Sequence, residues 1–127
     1  QIVAECIDPR HRPLFQAVRC DAIVPGLQIA GNLLVQEAHD PGVSRMIEVI
    51  TSNRQGSTVF STRVDNPTTT SYRELAKSLL DRDINLLAFN RDDDSITDFQ
   101  DHQPTPNDTL IYIAQHRQTW AQLTQQP

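Results

Sequence analysis

The most constraining stretch of the chain covers residues 70–114, where one helix signal is followed by three strand signals with short breaks between them. Ser71-x-x-Glu74 has the form of a capping box, in which each side chain satisfies a free backbone N–H at a helix start. Tyr72, Leu75, Ala76, Leu79 and Leu80 then fall on one apolar stripe, with Arg73, Lys77 and Ser78 off it. Asp81-Arg82-Asp83 breaks that pattern, and an apolar run over 84–89 follows without polar alternation. Such a run suits a strand covered on both faces, and a short helical segment would match it equally. Arg91-Asp92-Asp93-Asp94 is a charged turn, and 95–99 a weaker strand. Pro104-Thr105-Pro106-Asn107-Asp108 is a second turn, and TLIYIA over 109–114 is the strongest strand signal in the sequence. A helix with three strands spells a small α+β unit, carrying no obvious chemistry of its own.

Totals narrow the function classes. With 127 residues and 38% apolar content, the chain can bury one core or two small lobes. Its 11 basic and 16 acidic residues leave a net charge of −5 with no basic cluster, which argues against a surface that tracks nucleic-acid phosphates. No apolar run approaches the roughly 18 residues a membrane span needs, and no signal-peptide pattern is visible. Cys6 and Cys20 are the only cysteines, and two thiols in an acidic, Pro-punctuated chain point to reduced, cytosolic residues rather than a disulfide framework.

Upstream of the α+β unit, residues 1–6 (QIVAEC) read as a strand that starts abruptly, the expectation being a piece of something longer. Asp8-Pro9 offers an N-cap and a first-turn proline, while Pro13 delays the regular helix to about 13–19, with Leu14, Phe15 and Val18 facing inward. A short strand over 21–24 ends at Pro25-Gly26. The helix expected over 27–38 carries Leu27, Ile29, Ala30, Leu33, Leu34, Val35 and Ala38, more apolar surface than one stripe. A helix apolar nearly all round is buried on several sides, and in so small a chain a partner subunit is a natural source of cover. After the break at Asp40-Pro41-Gly42, Val43, Met46, Ile47 and Ile50 mark an amphipathic helix ending near Asn53 and Gly56. Residues 57–64 (STVFSTRV) alternate as a strand, and 116–124 suit a short terminal helix with Trp120 and Leu123 docking back.

These residues resemble, in order, an RCK domain, the regulator of potassium conductance of the TrkA-C type. SYRELAKSLL, INLLAFNR and Pro106-Asn107-Asp108-Thr109-Leu110-Ile111-Tyr112-Ile113 look like that family's C-terminal helix, strand, Pro-Gly-Asp turn and last strand. Asn107 stands where the family has Gly, and Asn is the side chain that best tolerates positive φ. IVAE, the helix after it, and Arg19-Cys20-Asp21-Ala22-Ile23-Val24-Pro25 look like the second half of the family's Rossmann-type lobe, keeping only the Asp of its Gly-Ala-Asp. The resemblance implies an α/β fold: the C-terminal part of a Rossmann-like lobe over 1–39, a crossover or dimerisation helix over 40–56, an α+β RCK C-terminal lobe over 57–117 and a polar tail over 118–127. It also implies that Leu27, Ala30, Leu33, Leu34, Val43, Met46, Ile47 and Ile50 clasp a neighbouring copy. There is no G-x-G-x-x-G in the chain, so no cofactor is assigned to it; the resemblance leaves a nucleotide or a divalent cation as an expectation for the full-length protein only.

Candidate sites stay few. Glu5 matches a carboxylate that calcium-gated members carry at the strand-to-helix turn, but the neighbouring family carboxylate falls at Ile7, and calcium wants six to eight oxygens. Asp92, Asp93, Asp94, Asp98 and Asp101 lack EF-hand spacing and read as an exposed hairpin. The four histidines and two cysteines show no zinc spacing. With no nucleophile elbow and no H-E-x-x-H, the reading is not an enzyme. Some RCK C-terminal lobes bind nucleotides or cyclic dinucleotides between two copies. The wall of such a cleft would include Val59, Phe60, Arg63, Arg73, Asn90 and Arg91, arginine being the side chain suited to phosphate. The function implied is a ligand-sensing gating module on the cytoplasmic side of the membrane. It would pair into a homodimer or higher assembly and act on a potassium channel or uptake pore, with no direct membrane insertion. A module of another cation or solute transporter or antiporter, or a pure dimerisation domain without ligand, is the alternative.

Overall fold

The computed structural model describes residues 1–52 and 58–125. Its mixed α/β architecture falls into two compact units, Gln1–Ile47 and Glu48–Pro127. The division lies inside the segment 40–56 read as a crossover helix. No helix among the described residues is long and apolar enough to cross a membrane.

In the first unit, β1 (Val3–Glu5) and β2 (Ala22–Val24) pair in parallel, Val3 against Ala22 and Glu5 against Val24. A parallel pair needs a crossover, and here it is a 3-10 turn, Pro9–His11, running into α1 (Arg12–Ala17). Asp8 caps the turn by accepting from the Arg10 N–H at 2.9 Å. The regular helix thus begins only at Arg12, within a residue of the start expected, and Pro13 sits in its first turn, where no intrahelical donor is lost. Arg19 ends the segment with φ of +58°. Leu14 and Val18, expected to face inward, are exposed, and Phe15 is half-buried. A six-residue helix beside a two-stranded sheet has little to pack on. Then comes α2 (Gly26–His39), followed by α3 (Val43–Ser52), within which the division after Ile47 falls; neither has a fully buried residue. Cys6 is the one buried side chain among the described residues before Asn53.

The second unit is built differently. Strands β3 (Thr58–Arg63), β4 (Asn85–Arg91), β5 (Asp94–Ile96) and β6 (Thr109–Ala114) form one antiparallel sheet in the order β3-β6-β4-β5. Helix α4 (Tyr72–Leu80) packs on one face, and α5 (Trp120–Thr124) closes the same core. TLIYIA alternates half-buried and buried, because β6 is central while only one of its faces meets the helices. Tyr72 stacks on Phe89 with ring centroids 4.1 Å apart, and Leu79, Leu110 and Leu123 are fully buried. Each such leucine contributes about 2 kcal/mol of transfer free energy.

Three expectations in this unit need correction. The run 84–89 is not a strand covered on both faces. A β-bulge at Leu87 shifts the register between Leu86 and Ala88, so alternation is interrupted and Leu87 reaches solvent. Leu80 also lies off the buried stripe, more than half exposed, because α4 presents only Tyr72, Leu75 and Leu79 to the sheet. At the start of α4, Ser71 Oγ accepts from the Glu74 N–H at 3.3 Å. The two-way capping box is at α5, where Thr119 and Gln122 exchange bonds.

Candidate functional site

Three features of the two units bear on function: a buried carboxylate, a divided sheet and a bare helix. Asp108 follows Asn107, whose φ of +75° confirms the left-handed turn. This turn lifts the Asp108 carboxylate into the core of the second unit, where only 1% of the residue is exposed. Five donors reach the carboxylate: Tyr72 Oη at 2.6 Å, Arg91 Nε at 2.9 Å and Nη2 at 2.8 Å, and the Thr105 N–H and hydroxyl. Burial alone would push the Asp108 pKa up, but the Arg91, Tyr72 and Thr105 bonds hold it well below the usual carboxylate range. Burial first, and then the hydrogen bond to Asp108 and its charge, push the Tyr72 phenol above its ordinary value. Arg91 also lies 5.0 Å over the Phe89 ring and donates to the Gln103 carbonyl. This network clamps the Pro-rich turn to α4 and β4, and its geometry is that of a structural lock.

The sheet divides the six residues proposed as a ligand wall. Paired residues across strands share a face, so Val59, Arg63 and Asn90 lie with Thr109 and Ile111 on the face away from α4. Phe60 and Arg91 lie on the helix side, and Arg73 is exposed on α4 itself. The set therefore does not converge on one cleft within a single copy. Arg91 is committed to Asp108, and Arg63 donates to the Asn107 side-chain oxygen. Asn90 is different: its Oδ1 is buried without a hydrogen-bond partner, the one such side-chain atom among the described residues. An unmet buried acceptor costs about 1–3 kcal/mol until a donor reaches it.

In the first unit, Glu5 lies against the start of α2. A methyl group at Gly26 would come within 2.6 Å of its carboxylate oxygen. No group of three or more His, Cys, Asp or Glu that could hold a metal occurs among the described residues. Cys6 and Cys20 are both free thiols. Of the residues read as a dimer surface, Leu27, Ala30, Leu34 and Met46 are exposed, and Leu33, Val43, Ile47 and Ile50 half-buried. Ala30, Leu33 and Leu34 line one apolar groove with Glu37 and Ser44. Glu37 holds the turn between α2 and α3, accepting from the N–H groups of Gly42 and Ser44 at 3.0 and 3.1 Å. Those bonds draw its pKa below the ordinary value.

Sequence patterns did not single out Asp108 or Glu37 as more than turn neighbours. Each acts on partners that no local periodicity reveals, such as Tyr72, 36 positions away from Asp108.

No protein-family model matches the chain, and no curated protein matches it. Among solved structures it is similar to the crystal structure of the GsuK RCK domain, at 17% identity and a TM-score of 0.38. The likeness covers 90% of this chain and 24% of that one.

Proposed function

We propose that this chain is an RCK-type regulatory module whose work is conformational: two copies pair through α2 and α3, and a bound ligand changes the angle between them. The observation that carries the reading is the bare apolar surface of α2. Leu34 is 75% exposed, and Leu27 and Val35 are both 61% exposed. Leaving several large aliphatic side chains in water forfeits about 1.5–3 kcal/mol for each, which pairing recovers. The order of elements, a β-α-β segment, two helices and then an α+β lobe, agrees with the sequence resemblance to RCK domains.

Under this reading the module serves a potassium channel or uptake system from the cytoplasmic side, and it performs no catalysis of its own. Ligand sensing falls to the outer sheet face of the second unit, where the unmet Asn90 oxygen lies beside Thr109 and Arg63. A ligand changes the pairing angle only through different affinities for the two arrangements.

Calorimetry on the full chain with divalent cations, nucleotides and cyclic dinucleotides tests the sensing half. Heat from one of these classes, lost in Asn90→Leu, is the expected result. Silence from all three, with no shift in melting temperature, would leave a dimerisation domain without a ligand.

A further inference from the structure

We infer that the free edge of β3 accepts an extended acidic peptide as an additional strand. Val64 donates its N–H to the Asp108 carbonyl at 2.8 Å and accepts from the Asn107 N–H, so its backbone groups point toward β6. Alternation along β3 then turns Thr58, Phe60 and Thr62 inward and leaves the backbone groups of Val59, Ser61 and Arg63 pointing away from the sheet. β3 pairs only with β6, so this edge is unpaired among the described residues. One of its acceptors is met by a side chain: Arg117 Nη1 donates to the Ser61 carbonyl at 2.9 Å, while its guanidinium lies 5.2 Å over the Phe60 ring. A charged side chain on a strand edge blunts self-pairing, and an added strand's backbone would take its place on the Ser61 carbonyl.

Charge selects the occupant. The chain carries a net −5, yet this edge is flanked by Arg63 and Arg117. The ion pairs among the described residues are Arg10–Asp8 and Arg91–Asp108, so neither flanking arginine has a carboxylate partner. Both line an open groove of about 380 Å³ beside the edge with Thr62, Asp65 and Trp120, so the two arginines outnumber its single carboxylate. Arg63 lies on the outer face and Arg117 over Phe60 on the helix face, so they bracket the edge from opposite sides. Consecutive side chains of an added strand point to opposite faces, so two adjacent carboxylates would meet one arginine each. Main-chain bonds to Val59, Ser61 and Arg63 would supply affinity, and the arginines would supply the preference for acid.

Fluorescence anisotropy with a labelled peptide tests this. It should be at least about six residues long, rich in Val and Thr, with a central Asp-Asp pair. The full chain should bind it with an affinity that falls as salt rises, and should not bind the Lys-Lys counterpart. Ser61→Pro removes only an outward N–H, which an edge strand tolerates, and should weaken binding about tenfold or more at unchanged circular dichroism. Arg63→Gln with Arg117→Gln should lower affinity about tenfold and flatten the salt dependence. Peptide N-methylated at the positions facing β3 should fail to bind, a readout that does not depend on any protein variant folding. Three results would overturn the inference: no binding by the wild-type chain, equal binding of the N-methylated peptide, or full displacement by inorganic phosphate at matched ionic strength. None of these outcomes bears on pairing through α2, which the edge of β3 does not touch.

Discussion

Asp108 shows how one side chain fixes a local fold. Its carboxylate is surrounded by donors from Tyr72, Arg91 and Thr105, so exchanging one oxygen for an NH2 removes the charge that faces Arg91 and sets a donor against donors. Asp108→Asn should destabilise the second unit by about 3 kcal/mol, read as a fall of roughly 10 °C or more in melting temperature. Wild-type stability in that variant would show the network to be ornamental. The pH dependence follows from the same group. Because the folded state holds the Asp108 pKa below its ordinary value, its stabilisation is complete above the unfolded pKa of about 3.9. It fades as pH falls toward the lower folded value. Acid unfolding below about pH 4 should therefore be steeper in the wild type than in Asp108→Asn, and parallel acid limbs would contradict the assignment. The sequence displayed Asp108 only as the last residue of a turn. The positive φ of Asn107 was legible because few side chains tolerate it, whereas a donor 36 positions upstream has no local signature.

Element type is legible where apolar residues are dense or periodic, and packing is less so where a bulge or thin cover intervenes. β6 is an apolar, β-branched and aromatic run, and α4 carries Tyr72, Leu75 and Leu79 on one stripe, so both are visible in the residues. β4 was legible as a strand but not in its packing, because the extra residue at Leu87 breaks the two-residue repeat. The inward assignment of Leu14 and Val18 failed for another reason: hydrophobicity shows what would prefer burial, not whether a surface exists to bury it. Short α5 owes its place to anchors rather than to propensity. Trp120 and Leu123 are buried, and the indole N–H donates to the Asn66 carbonyl at 2.7 Å. Leu123→Ala should cost about 3 kcal/mol, while exposed Leu80→Ala on α4 should cost under about 1 kcal/mol. Equal losses in a denaturant titration would show that burial does not govern these sites. Between α2 and α3, Glu37→Ala should speed amide exchange at Gly42 and Ser44, whose N–H groups it now holds. Unchanged protection there would mean the turn stands without it.

At the scale of the whole molecule, the two units contrast in how they dispose of apolar surface. The second encloses a core of tyrosine, phenylalanine, leucine and tryptophan beneath its sheet. The first encloses little, with Cys6 alone fully buried and Leu27, Ile29, Leu34, Val35 and Met46 open to water. That excess was legible in the sequence as a helix apolar beyond one stripe. The candidate ligand wall was less legible, because residues close in sequence, such as Val59 and Phe60, or Asn90 and Arg91, project from opposite faces of one sheet. Pairing through α2 is the claim on which the regulatory reading stands, and sedimentation equilibrium tests it most directly. The wild-type chain should sediment as a dimer or larger assembly, and Leu34→Asp, altering a side chain already three-quarters exposed, should sediment as a folded monomer. A wild-type chain that stays monomeric at all concentrations, or a Leu34→Asp variant that assembles undiminished, would contradict it.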